Sequence, residues 1–360
     1  MKPSTTTHLR IIWAITAKDI VDAVKNKNVL GIIIPALFMI VLYRFMPAIT
    51  AEDGPPALLV YDTGNPVMMS LLEESPAVDL YSYESETQML NYLSNGEQPE
   101  LGLVIPAGFD QKVEFEQSLI LQGFMLHFFT DEQVSELQRD IQDELEYLLD
   151  QPVTILIERV QLQPEAHGIT ILASMGFGFI IIMVGMIAIP HMMLEEKQNK
   201  TLEAILVSPA GSLHIIAAKA LTGLLYTMIV FGIGMVLFRS EIVNWGLALL
   251  AGLLGALFAV SLGLLLGILV DTRQQLVLWA WVGLVPIFLP MMLSIMDDLL
   301  PHQMIQIVKW VPSSALMRAM RSTMVGNPPV VNYLPQLGIL LFSATLVFVL
   351  DIWLVRRLDR

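Results

Sequence analysis

The chain predicts an α-helical polytopic membrane protein with six transmembrane helices and a small α/β exported domain between spans 1 and 2. Three observations carry that prediction. Apolar residues make up 55% of the 360 positions and charged residues only 15%, against about a quarter charged in soluble proteins. The apolar residues collect into six stretches of bilayer length. The acidic charge collects into one stretch: residues 50–168 hold 23 Asp/Glu and 3 Lys/Arg, a net of −20, which leaves +6 of the total −14 for the rest. A basic membrane part therefore carries an acidic soluble insert, which repels nucleic acid and anionic lipid surfaces.

Residues 1–28 precede the first span. Within 8–27, Ile12, Ile15, Ile20 and Val24 recur at rough helical spacing among Lys18, Asp19, Asp22, Lys25 and Lys27. This pattern predicts an amphipathic helix at the inner interface. Span 1 covers 29–49 and contains Pro35 and Arg44. It reads as an uncleaved signal anchor, because about 28 residues precede it and the best cleavage site, after Ala51, has Ile49 at the −3 position.

The insert, 50–168, opens with Gly54-Pro55-Pro56 and a strand, Ala57 to Asp62, that ends in the turn Thr63-Gly64-Asn65-Pro66. Met68 to Glu74 and Glu84 to Asn95 read as short helices, and Leu101 to Pro106 as a second strand. Residues 124–130 suggest a third. Val134, Leu137, Ile141, Leu145 and Leu148 then mark one long helix over 131–162, broken at most at Pro152.

Five further spans follow within 169–360, at 169–193, 214–238, 246–270, 276–296 and 335–355. Each approaches the roughly 20 residues that a bilayer core requires. Pro286 and Pro290 predict a kink in the fifth span. In the fourth, Ala251, Gly255, Ala259, Gly263 and Gly267 recur every four residues. That stripe of small side chains lets two helix backbones approach closely. Residues 297–334 form a long semi-apolar outer loop, in which Lys309, Arg318 and Arg321 oppose full burial in lipid.

Orientation follows from Lys and Arg near the span ends. With the N-terminus inside, Lys2, Arg10, Lys18, Lys25, Lys27, Lys197, Lys200, Lys219, Arg273, Arg356, Arg357 and Arg360 all lie inside. Only Arg239, Lys309, Arg318 and Arg321 fall in the outer loops between the later spans. The expected protein is multi-pass in a cell inner or plasma membrane, with both termini cytoplasmic and 50–168 extracytoplasmic.

Several chemistries are excluded. Zero Cys removes disulfides, thiolate nucleophiles and Cys-ligated metal sites. A P-loop needs Gly-Lys-Ser/Thr, and the one Lys-Thr pair, Lys200-Thr201, follows Asn199. His191-Met-Met-Leu-Glu195 does not make a zinc-protease motif, and no metal site or catalytic set is expected. Arg44 is placed to snorkel toward the headgroups. Asp351 is placed to pair with Arg356 or Arg357 near the inner interface.

The most specific segment is the charged loop between spans 2 and 3, from Glu195-Glu196-Lys197 through Thr201-Leu202-Glu203, Ser208-Pro209 and His214 to Lys219. It resembles the cytoplasmic loop of ABC-2 type transporter permeases. The insert's Leu58 to Asp62 and Leu103 to Phe109 are similar to the exported domain of drug- and sodium-export members. Trp310-Val-Pro-Ser-Ser-Ala-Leu-Met-Arg-Ala-Met-Arg321 resembles the Pro-containing segment before their last span. One departure is Ala218-Lys219, where members often have Gly-Lys.

The resemblance implies the transmembrane subunit of an ATP-driven exporter, working as two permeases with two ATPases. Glu195, Glu196, Thr201, Leu202, Glu203, Pro209 and His214 would then form the ATPase-coupling loop, 194–213. The expected partners are an ABC ATPase subunit, a second permease copy or paralogue, and membrane lipid, with no nucleic acid. This chain is expected to be no enzyme and to hold no cofactor, since ATP and Mg belong to the partner ATPase. A lipophilic drug, lipid or peptide is the expected substrate. A sodium exporter and a non-transporting receptor or scaffold that senses through the acidic domain remain the alternatives.

Overall fold

A computed structural model of the chain describes residues 5–25, 27–49, 54–96, 98–115, 119–161, 168–198, 212–295, 301–326 and 328–358. The chain divides into two compact units. One comprises Met1–Arg44, Ala173–Thr323 and Pro328–Arg360; the other comprises Phe45–Leu172 with Met324–Asn327.

The α/β unit is built on a five-stranded sheet of order β2-β1-β3-β4-β5. The strands are β1 (Ala57–Asp62), β2 (Asp79–Tyr83), β3 (Leu101–Ile105), β4 (Leu119–Leu126) and β5 (Val153–Val160). β1 pairs in parallel with both β2 and β3, β3 pairs antiparallel with β4, and β4 pairs in parallel with β5. Leu58, Leu59, Val60, Leu101, Leu103 and Ile105 are all fully buried, as expected for central strands covered on both faces.

Two expectations are corrected here. The 131–162 segment is not one helix. It ends after Leu149 with Asp150 in the left-handed region (φ 52), Pro152 follows, and Val153–Val160 pairs as β5. The run Val-Thr-Ile-Leu-Ile is β-branched and fits a pleated surface better than a helix. The third expected strand begins earlier than 124, at Leu119, and the edge strand β2 was not anticipated from its polar sequence.

The turn after β1 is fixed by one side chain. Asn65 is fully buried. Its Nδ2 donates to Asp62 Oδ1 (2.6 Å) and the Pro106 carbonyl (2.9 Å), while its Oδ1 accepts from the amides of Phe109 (2.7 Å) and Asp110 (3.3 Å). This amide thereby joins the ends of β1 and β3.

The helical unit contains α1 (Thr5–Lys25), most of α2 (Lys27–Ile49), most of α7 (Gly168–Gln198), α8 (Ser212–Leu237), α9 (Trp245–Leu269), α10 (Arg273–Leu293), α11 (His302–Lys309), α12 (Pro312–Ser322) and α13 (Val330–Leu358). The intervening helices α3 (Pro66–Glu74), α4 (Glu86–Leu93), α5 (Phe109–Phe115) and α6 (Asp131–Leu149) belong to the α/β unit. Among the described residues, α7, α8, α9, α10 and α13 are long and apolar enough to cross a membrane. The apolar part of α2, Leu30–Phe45, is shorter. Within the outer segment 297–334, α12 is largely buried, including Ser313, Ser314, Leu316 and Met320, with Arg318 and Arg321 half-buried.

Candidate functional site

The site is built around one lysine. Lys219 lies two turns into α8, inside an apolar run. A charged group taken out of water costs several kcal/mol unless it is paired and hydrogen-bonded. Lys219 Nζ sits 2.8 Å from Asp19 Oδ2 of α1 and 2.8 Å from Glu196 Oε1 near the end of α7, and its side chain is 2% exposed. Lys18 Nζ approaches the same Glu196 oxygen at 3.9 Å from the solvent side. Two carboxylates thus face two ammonium groups, and three helices converge on one buried charge.

The remaining contacts align α1 with α8. His8 Nδ1 lies 2.6 Å from His214 Nε2, with the rings stacked at 4.8 Å. Thr16 Oγ1 donates to the carbonyls of Ile12 (2.9 Å) and Ala218 (3.4 Å). The Tyr226 hydroxyl donates to the Ile20 carbonyl. Residue numbers rise together on both helices, so α1 runs parallel to the first half of α8. Lys197, next to Glu196, donates to the carbonyls of Ile268 (3.1 Å) and Val270 (2.9 Å) and pairs with Asp271 (3.0 Å). It thereby satisfies carbonyls at the end of α9 that the helix leaves open.

Of the residues read as ATPase-coupling, Glu196 is in this cluster, His214 contacts α1, and Glu195 is half-buried beside Glu196. Thr201, Leu202, Glu203 and Pro209 lie outside the described residues. Asp19 and Lys219 were seen in the sequence as charges flanking spans, and their mutual pairing was not. The available signal was a lysine seven residues into an apolar helix, which demands a counterion.

The small-residue stripe faces two helices. A Cβ on Gly263 would lie 2.5 Å from the Gly185 carbonyl oxygen and 3.1 Å from that of Met186, so the backbones of α7 and α9 nearly touch there. A Cβ on Gly267 would meet Met193 Sδ at 2.5 Å, and one on Gly255 would meet Leu316 Cδ1 at 2.5 Å. Ala251 and Ala259 are fully buried.

An apolar groove of about 390 Å³ lies between α7 and α10, lined by Phe179, Met183, Ile187, Trp281, Leu284 and Phe288 among others. His191 is the ionisable group in its lining.

Two further ionisable residues have surroundings that the sequence alone did not supply. Arg44, one-third exposed, pairs with the buried Glu241 at 3.4 Å and lies 6.0 Å from the Phe238 ring centroid. Burial pushes the Glu241 carboxyl up, and Arg44 opposes that shift. Asp351 makes no pair with Arg356 or Arg357. It is fully buried, neither carboxyl oxygen has a hydrogen-bond partner among the described residues, and Arg357 instead lies over the Trp353 ring.

A family model described as ABC-2 family transporter protein matches residues 29–353. No curated protein matches the chain.

Proposed function

Since this chain belongs to the ABC-2 family of transporter proteins, we propose that it is the permease subunit of an ATP-driven exporter and couples to a separate ATPase. The carrying observation is the Asp19–Lys219–Glu196 cluster. It ties α1 to the two helices, α7 and α8, that lead into and out of the loop 194–213, which the family resemblance assigns to ATPase contact. A push on that segment reaches α7 and α8 together. Packed helices respond to such a push by discrete rearrangement.

In this reading α2 is the first of six spans, both termini are cytoplasmic and the acidic α/β domain is exported. The excess of Lys and Arg near one set of span ends supports that orientation. The permease works as a dimer, with a second copy or a paralogue. The substrate is lipophilic, a drug, lipid or peptide. This class is favoured by the groove between α7 and α10, whose lining is aromatic and aliphatic apart from His191. A desolvated sodium ion would need several oxygen ligands there, and the groove supplies none from its side chains.

The test is ATP-dependent accumulation of a lipophilic dye in inside-out vesicles that contain the chain and its ATPase. Accumulation that disappears with a Walker-lysine variant of the ATPase supports the reading. ATP-dependent sodium movement without dye movement replaces the substrate class. Absence of both overturns export.

A further inference from the structure

We propose that Asp351 is a proton-binding site inside the membrane, occupied while α13 is packed against α9. Asp351 lies within the apolar stretch Val330–Arg357. Its neighbours on the same helix face, at spacings of three and four, are Phe348, Leu354 and Val355. These three pack on a cluster formed by Ile189, Met193, Ile216, Val260, Leu264 and Ile268. The carboxyl group is therefore held against aliphatic side chains, fully buried and, among the described residues, without a hydrogen-bond partner at either oxygen.

The charged groups on the packed helices do not neutralise it. Helix α9 carries no ionisable residue over Trp245–Leu269. On α8, Lys219 is held by Asp19 and Glu196, His214 lies against His8, and Tyr226 donates to Ile20. On α7, Lys197 is held by Asp271, Glu196 by Lys219, and His191 lines the groove toward α10; Glu195 adds a like charge. Arg318 and Arg321 belong to α12, which meets α9 at Gly255, away from the Leu264–Ile268 end. On α13 itself, Tyr333 is five turns away, Arg357 lies over Trp353, and Arg356 forms no ion pair with Asp351.

An ionised carboxylate in such a place is strongly disfavoured, and the group neutralises instead. A metal ion is excluded as the neutralising ligand by the same lining, because a hard cation requires several oxygen ligands. A proton requires one. The balance is simple: the carboxylate takes one proton from water and becomes the neutral acid as α13 seats on α9. It returns that proton when the contact opens. If the two helices part during transport, each chain releases and rebinds one proton per cycle, whatever the substrate is.

Infrared difference spectroscopy of the chain in lipid nanodiscs tests the site directly. In the wild-type minus Asp351→Asn spectrum at neutral pH, a protonated-carboxyl C=O band is expected. Bands of an ionised carboxylate in its place would overturn the proposal. If Asp351→Asn does not fold, Asp351→Glu serves: the C=O band must shift in frequency, and an unshifted band would overturn the assignment. A second measurement reads the helix contact. The chain has no Cys, so Val355→Cys gives one thiol on the same helix face. The ratio of its labelling rate in the wild-type background to that in Asp351→Asn is expected to rise several-fold at alkaline pH. An ionised Asp351 one turn away disfavours the thiolate and by itself lowers that ratio, so a rise reports opening of the contact. A pH-independent ratio would overturn the link between proton loss and opening. Neither readout depends on ATPase or substrate, so a failure here leaves the exporter reading intact.

Discussion

Lys219 and Asp19 approach to 2.8 Å with both side chains 2% exposed, although 200 residues separate them. The pair fixes α1 against α8 at the level where Glu196 closes the cluster from α7. Its energy is asymmetric. Forming a buried ion cluster contributes little net stability, while removing one partner strands a charge.

Lys219→Met is therefore expected to destabilise the helical unit by about 3–5 kcal/mol, because two buried carboxylates lose their shared cation. The triple change Lys219→Met, Asp19→Asn, Glu196→Gln is expected to recover most of that loss. Thermal unfolding in mild detergent checks both. A triple variant as unstable as the single one would show that the lysine's packing, and not its charge, matters.

Gly263→Ala is expected to cost about 1–3 kcal/mol, since its methyl group would meet backbone oxygens that cannot step aside without parting α7 and α9. Gly255→Ala is expected to cost less, because its obstacle is the end of the Leu316 side chain. Melting temperatures of the two variants in the same detergent decide the order.

The spans were legible in the sequence because a bilayer leaves one criterion, a sustained apolar run, and α7 to α10 and α13 satisfy it without help from partners. The α/β domain was legible only where strands were buried on both faces, as in Leu58–Val60 and Leu101–Ile105. β2, with Asp79 and Ser82, lies at the sheet edge and carries no apolar signature. β5 was absorbed into α6 because Val134 to Leu148 sets a strong helical rhythm and the stop at Asp150 rests on a left-handed residue that is not glycine. The charge cluster was least legible. Asp19, Glu196 and Lys219 come from three helices, and periodicity along one helix says nothing about which neighbour supplies a counterion. The pairing expected of Asp351 failed for the related reason that closeness in sequence, to Arg356, does not place two side chains on one helix face.

Asn65→Ala is expected to cost about 1–3 kcal/mol in the α/β domain, since the Phe109 amide and the Pro106 carbonyl lose their shorter bonds to the buried Asn65 and keep only their mutual 3.2 Å contact. Asn65→Asp keeps an acceptor for the Phe109 amide but sets a second carboxylate against Asp62, and is expected to be no better at neutral pH. Denaturant unfolding followed by far-UV circular dichroism checks this.

Burial pushes the Glu100 carboxyl up from 4.5 to about 7. The folded domain thus holds this proton more tightly than the unfolded chain does. The associated stability is present below pH 4.5 and is lost as pH rises from there through about 7. Glu100→Gln is expected to flatten that fall and to leave the domain more stable than wild type above pH 7. Unfolding midpoints measured from pH 4.5 to 8 test it, and parallel curves for the two proteins would contradict the assignment.

The most direct test of the exporter account is affinity capture of the full chain from its native membranes in mild detergent, beside Glu203→Arg. The account predicts that an ATP-binding subunit co-purifies with wild type and is depleted at least several-fold with the variant. No ATP-binding subunit under any of several mild detergents would contradict it.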